Sequence, residues 1–302
     1  VPRQASCVEV PAQFSVIAAQ MPDAQLHPGR SYPHQQRGTS EANASWACNP
    51  MEVTKSLCPA FSSDVLIRKL RGIAEISDDD AAALGGITIQ EKDVPANQDL
   101  VLEGDRPTNS FVVLDGIVCS YKHTGEGKRQ ITSFFVAGDL PDLHGIHLTV
   151  MDCSFSSMTP GRLGLIRHSA LRSICEQRPR VAAAFWRSTL IDAAIYREWV
   201  TNVGRRDAYA RTAHMLCELI VRLRFAGRIE DHVADLPITQ AAFGDAVGLS
   251  VVHVNRTLQA LRGDGLIAMS GTKLRALDWP GLVRAGDFDP TYLHLKDPDV
   301  AF

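Results

Sequence analysis

Between Leu236 and Leu277 the chain reads LPITQAAFGDAVGLSVVHVNRTLQALRGDGLIAMSGTKLRAL, and the order of caps, turns and stripes in it leaves few folds open. Thr239 is placed to cap a short helix whose small residues Ala241, Ala242, Gly244 and Ala246 let another helix come close. Gly248 supplies a tight turn that accepts positive φ, and Ser250 caps the helix that follows. In that second helix Val251, Val254, Leu258 and Leu261 recur at spacings of three and four and are expected to face inward. Val252, Asn255, Arg256 and Gln259 recur at helical spacing on the opposite, outward stripe. A helix-turn-helix needs this division, because one face anchors the recognition helix while the other enters the major groove.

The residue types on the outward stripe suit base edges and phosphates. Arg256 can make a bidentate contact to guanine or clamp a phosphate, and Asn255 and Gln259 can pair with adenine edges or the backbone. Val252 offers only apolar contact, as to a thymine methyl. His253 can reach phosphate or base or pack on the preceding turn, and the sequence does not choose. After the helix, residues 265–277 read as two short strands around Ser270-Gly271, a wing that brings Lys273 to phosphate. The expected DNA-contacting set is therefore Thr239, Ser250, Val252, His253, Asn255, Arg256, Gln259 and Lys273. An isolated helix with two stripes would be an ordinary solvated surface helix. The spacing of Gln240, Gly244, Gly248, Val254 and Arg256, with a wing behind them, raises DNA binding above that bland alternative.

The rest of the chain changes texture several times. Residues 1–50 show no sustained period and are rich in Pro, Gln, Ser and Ala, which reads as disordered or loosely held. An upstream extension of the reading frame, with natural translation starting at Met51, is an equally available explanation. Residues 62–86 suggest short helices, one of them starting at Ser77 with Asp78, Asp79 and Asp80 at the positive end of its dipole. From Ile87 to about Arg167 short β-rich runs alternate with turn signals at Gly104, Gly116, Gly125, Gly127 and Gly138, as in a sandwich or jelly roll. Helical patterning follows, with Val181, Phe185, Leu190, Ile191, Ala194, Ile195, Trp199 and Val203 forming more than one stripe. Such a helix is expected to pack on its own barrel and on a second copy of the chain. A further helix carries Ala210, Ala213, Met215, Leu216, Leu219, Ile220 and Leu223.

Bulk properties narrow the setting. The net charge of −3 argues against a protein that coats nucleic acid, yet between Arg197 and Arg275 eleven basic residues face eight acidic ones. No apolar run is long enough for a membrane span, and no basic-then-apolar leader opens the chain. Seven scattered cysteines fit a reducing compartment, so a cytoplasmic location is expected.

From about Cys58 to Trp279 the chain resembles a Crp/Fnr-type transcription regulator, most specifically in SYKHTGEGKRQITSFFVAGDL, in REWVTNVGRRDAYARTAHMLCEL and in the stretch quoted first. The resemblance implies an α+β fold with an N-terminal β-roll or jelly-roll sensory domain, a long dimerisation helix and a C-terminal winged helix-turn-helix. It places a poorly ordered extension at 1–57, a cyclic-nucleotide-binding-like β-roll at 58–180, the dimerisation helix at 181–204, the DNA-binding domain at 205–285 and a tail at 286–302. It implies a homodimer on two-fold-related double-stranded DNA, contact with RNA polymerase, and no enzymatic activity.

Several departures from the family bear on the signal. Leu143 stands where cyclic-AMP binders carry the glutamate that holds the ribose hydroxyl, and Cys153-Ser154 stands where they carry Arg-Ser. Cyclic AMP is therefore not expected as effector, and the effector is unknown. Cys7, Cys48 and Cys58 are too widely spread for the family's iron–sulfur ligand set, and Gly164 lies where a fourth ligand belongs. Cys119, Cys153, Cys175 and Cys217 read as structural. His144, His147 and Asp152 could bind a metal, but no partner completes a set, so no metal and no cofactor is expected. A ligand-gated or haem- or redox-sensing regulator stays open as an alternative. A β-barrel metalloenzyme is weaker still, because the His-x-His pattern of cupins is absent. In the recognition helix, Val251 and Val252 stand where many family members carry Glu or Arg, which predicts a different operator base at that position.

Overall fold

The computed structural model describes residues 60–230 and 233–296. The expected extension over 1–57, with Cys7 and Cys48, and also Cys58, lies outside these residues. Two short helices come first, α1 (Ala60–Ile73) and α2 (Asp78–Gly85). Ser77 caps α2 in a reciprocal box: its Oγ accepts from Asp80 N–H, and the Asp80 carboxylate accepts from Ser77 N–H.

Seven strands then form the barrel: β1 (Gln90–Val94), β2 (Asp99–Val101), β3 (Asn109–Asp115), β4 (Val118–His123), β5 (Arg129–Phe135), β6 (Ser154–Ser157) and β7 (Gly161–Arg167). They make two antiparallel sheets, in orders β1-β7-β3 and β2-β6-β4-β5. The continuous apolar run of β3 is explained by burial on both faces. Phe111 and Val113 point into the barrel, while Val112 and Leu114 join the helical core outside it. Inside, Phe111 meets Phe155 edge-on at 5.8 Å between ring centroids, and Phe135 lies 6.0 Å from the same ring. Met151, Val118 and Leu163 fill the remaining interior. A 3-10 turn, Leu143–Ile146, closes one end.

Helix α3 (His168–Gln177) leads into α4 (Pro179–Arg205), which is 27 residues and so about 40 Å long. Phe185, Ile191, Ile195 and Trp199 of α4 are buried, and the Trp199 ring meets Phe134 of β5 at 5.7 Å. A second apolar row on the same helix is uncovered: Trp186 is 70% exposed, Leu190 55% and Val200 73%. More than one apolar stripe is present, as expected, but of the uncovered row only Leu190 was among the residues expected to form them, and Trp186 and Val200 were not.

The C-terminal part contains α5 (Ala208–Phe225), β8 (Ile229–Glu230), β9 (Val233–Asp235), α6 (Gln240–Val247), α7 (Val251–Gly263), β10 (Ile267–Ser270), β11 (Lys273–Ala276) and α8 (Trp279–Gly286). The wing is larger than the expected hairpin: β10 and β11 belong to a four-stranded sheet in the order β10-β11-β9-β8. Beyond α8, the residues read as a tail are built into the core as far as Leu293. Phe288 and Leu293 are buried, and Tyr292 stacks on His214 at 6.0 Å.

Candidate nucleic-acid interface

The two helices α6 and α7 are set by local chemistry. Thr239 Oγ1 accepts from Ala242 N–H at 3.1 Å, and Ser250 Oγ accepts from His253 N–H at 3.3 Å. Gly248 adopts φ +67°, the left-handed value that ends α6. Gly244 is needed for closeness: a Cβ there would lie 2.5 Å from the Leu249 carbonyl oxygen. Turn and caps together fix the angle at which α7 leaves the domain.

Val254, Leu258 and Leu261 of α7 are buried as expected. Val251 corrects the inward assignment, being 47% exposed. It occupies the first helical position, ahead of the turn that packs on the domain, and the buried set is completed instead by Thr257. Thr257 satisfies its hydroxyl by donating to the His253 carbonyl at 2.8 Å. Val251 and Val252 thus form an exposed apolar pair at the start of the helix, beside His253, Arg256 and Gln259, all exposed. Asn255 is half-buried, and its Nδ2 lies 3.5 Å from Gln240 Oε1 on α6. Gln240 is exposed at the start of α6 and joins this face. The sequence marks Gln240 by its helix-turn-helix spacing but does not place it in the expected contact set.

Lys273 sits at the start of β11, exposed, opposite Asp235 of β9. It also lines a crevice of about 540 Å³ between Asp115–Ile117 and Thr159–Pro160 of the barrel and Leu223, Arg228 and Val233 of the C-terminal part. The structure therefore gathers seven predicted residues on α7 and the α6 start, while Lys273 stands on the wing next to the barrel.

Sequence reasoning missed the residues that hold this domain. Arg211 at the start of α5 donates from Nη1 to Val247 O at 2.8 Å, from Nη2 to Arg206 O at 2.9 Å and from Nε to Asn202 O at 3.1 Å. One guanidinium so joins the end of α4, the start of α5 and the end of α6. Arg129 of β5 pairs with Asp245 of α6 at 2.8 Å, and Gln130 Nε2 donates to Ala246 O at 3.1 Å.

The barrel positions of interest are occupied differently. Leu143 is buried in the helical-side core, and Cys153 packs against the inner barrel cluster beside Asp152. Burial raises the Cys153 thiol to about 12, with the neighbouring Asp152 carboxylate adding to the shift. Cys119 and Cys217 are buried, and Cys175 is half-buried. His144 Nε2 lies 3.7 Å from Asp152 Oδ1, whereas His147 is exposed. Among the described residues no group of three or more such side chains is arranged to hold a metal ion. Gly164 packs in β7 where a Cβ would meet Ile89 at 2.5 Å. Among the described residues no helix is long and apolar enough to cross a membrane.

Comparison with known proteins covers both halves of this architecture. Residues 91–178 match the family described as cyclic nucleotide-binding domain, and residues 210–285 match the Crp-like helix-turn-helix domain. The chain is similar to the transcriptional activator protein FnrL of Cereibacter sphaeroides, 25% identical over 182 residues, or 59% of this chain and 72% of that protein. It is similar to the nitrogen fixation regulation protein FixK of Bradyrhizobium diazoefficiens, 28% identical over 192 residues, or 61% of this chain and 76% of that protein. In fold it is similar to the solved structure of FixK2 from Bradyrhizobium japonicum, with a TM-score of 0.60 and 23% identity, covering 65% of this chain and 96% of that one.

Proposed function

The chain belongs to the Crp/Fnr-type transcription regulators, a DNA-binding family, and from that premise we propose that it works as a homodimer on a two-fold-symmetric duplex site. Arg256, Asn255, Gln259, Val252 and His253 read or flank the bases, and Thr239, Ser250 and Lys273 meet the phosphates. The observation that carries this reading is the division of α7, with Val254, Leu258 and Leu261 buried and Arg256, Gln259 and Val252 exposed. The N-termini of α6 and α7 add unpaired backbone N–H groups suited to phosphate.

The homodimer is supported by the uncovered row Trp186, Leu190 and Val200 on α4. Burying such side chains against a second copy stabilises by about 1.5–3 kcal/mol for each fully covered aliphatic one. A pair of α4 helices would set the recognition helices about 34 Å apart, one turn of duplex. Contact with RNA polymerase, a cytoplasmic setting and the lack of enzymatic activity follow from the same reading.

We read the barrel as a scaffold rather than a receptor. Its interior is filled by Phe111, Phe135, Phe155 and Met151, all buried, and Leu143 and Cys153 supply neither anion recognition nor a ribose partner. Regulation then rests on the amount of dimer and not on a small molecule in the barrel. Selection of bound fragments from random duplex DNA, at one stated salt concentration and with no added ligand, tests both parts. A two-fold motif is expected. Absorbance of freshly purified protein in the Soret region, or a motif that appears only with an added effector, would favour the gated alternative.

A further inference from the structure

A buried polar cluster lies between the barrel and the DNA-binding domain, and the reading above does not use it. Asp139, in the turn after β5, accepts from Val136 N–H at 2.9 Å, from Lys69 Nζ of α1 at 2.7 Å and from Arg222 Nη2 of α5 at 3.0 Å. Arg222 Nη1 donates onward to Glu218 at 3.1 Å. Glu218 accepts in addition from Trp199 Nε1 of α4 at 3.0 Å and from the Tyr292 hydroxyl at 2.7 Å. Asp139, Glu218, Arg222 and Trp199 are all buried, so water competes little with these bonds. Lys69 and Arg222 face Asp139 and Glu218, and a third carboxyl, Asp192 of α4, lies close enough that burial first and the Asp139 charge second push it up to about 7. Burial alone would raise the Asp139 carboxyl, but Lys69 and Arg222 outweigh it and hold it below the ordinary carboxylate range.

The cluster draws on α1, the turn after β5, α4, α5 (which supplies both Glu218 and Arg222) and the segment after α8. The segment that supplies Tyr292 also crosses to α1, where Lys296 N–H donates to Gly72 O at 2.9 Å and Lys296 Nζ to Ala74 O at 2.5 Å. Both Lys69 and Tyr292 lie outside the two regions matched to family domains, 91–178 and 210–285. The segments that flank the two matched regions therefore meet at the joint between them.

We propose that Asp139, Arg222, Glu218 and Tyr292 form an interdomain latch that positions the DNA-binding domain at one angle on the barrel and so fixes the spacing of the two recognition helices. These are positioning residues, since none of them lies on the α7 face. The proposal rests on the reading of α7 as the recognition helix only for its consequence on DNA, and the latch itself can be measured without DNA. Nondirectional apolar contacts would allow a range of angles, whereas a bridging guanidinium with fixed forks on two carboxylates allows few.

The experiment uses the full chain with spin labels carried on noncanonical residues at positions 126 and 262, both exposed, diluted with unlabelled protein so that only distances within one chain are read. Pulsed dipolar spectroscopy should give one narrow distance in the parent, a broadened one in Arg222→Gln and a smaller broadening in Tyr292→Phe, at unchanged helical content. The same variants are then titrated with a lone half-site and with two-fold sites whose halves are separated by zero to four extra base pairs. The parent should bind one separation best. Arg222→Gln should lose roughly 5- to 150-fold on that separation, keep its lone half-site affinity and respond weakly to spacing. Equal distance widths in parent and both variants would overturn the latch. So would a proportional loss on half-sites and full sites, which is what a merely weakened fold gives. Failure of the parent to bind any duplex would instead strike the reading of α7 and leave the distance result standing.

Discussion

The turn at 138–154 of the barrel and the recognition helix at 250–259 are the two places where this architecture can carry a signal in and a contact out. They are built in opposite ways. In the turn and the strand after it, apolar side chains are packed away from water: Leu143 is buried, and Phe155 is covered on the inner side by Phe111 and Phe135. In the helix, the polar groups remain and are left uncovered, with Arg256 and Gln259 exposed above a dry anchoring face. A site made of packed apolar residues contributes stability. A site made of exposed polar residues on a rigid frame contributes binding and little stability.

The largest effect that separates the two comes from Phe155→Ala. Emptying a fully buried aromatic position should lower unfolding free energy by about 3–5 kcal/mol, seen in chemical denaturation, without altering the base preference of the protein that stays folded. A changed base preference would join the barrel to the readout directly. Arg256→Ala should do the reverse. Its melting temperature should stay near the parent's, while specific binding falls by about 1–3 kcal/mol per base contact and selection relaxes at one base pair. Loss of stability with no loss of binding would return Arg256 to the role of a surface residue.

Asp142 gives the comparison a pH axis. Its carboxyl is buried, and burial raises it from an ordinary 3.8 to about 8; Phe111 N–H opposes the shift by donating to Oδ1 at 3.0 Å. Between about pH 4 and 8 the folded chain keeps a proton that the unfolded chain has lost, so this group's contribution is full in acid and falls as pH rises. Asp142→Asn should remove that slope, giving little difference in stability near pH 4 and an increasing advantage for the variant toward pH 8.5. A parallel pair of stability curves would show that Asp142 is not the group responsible. The smallest effect is expected from Lys273→Ala, which should lower affinity for all sequences alike and reduce the salt slope by about 1. A sequence-dependent loss would place Lys273 on a base edge.

The sequence disclosed what local chemistry decides. Caps at Ser77, Thr239 and Ser250 and the left-handed turn at Gly248 are each set by residues within four positions, and each is found where expected. The barrel strands were legible because glycine turns bracket them, and a second apolar stripe on α4 because its apolar residues spread over more than one face, although Trp186 and Val200 of that row were not singled out. Val251 was misplaced because periodicity carries no information about where packing begins along a helix. The four-stranded wing sheet escaped because β8 and β9 are two and three residues long. The buried latch left one trace: Glu218 and Arg222, four residues apart, interrupt the apolar run from Met215 to Leu223. That pair normally reads as a solvated i, i+4 bridge, and only the distant Asp139, Trp199 and Tyr292 turn it into a buried one.

On this reading α7 recognises a two-fold site with nothing bound in the barrel. Duplex selection with purified, ligand-free protein, followed by titration of the selected site with parent and Arg256→Ala, addresses that claim most directly. The account predicts a symmetric motif bound by the parent and relaxed at one position in each half by the variant. Binding that is absent without an added effector, or a motif unchanged by Arg256→Ala, would contradict it.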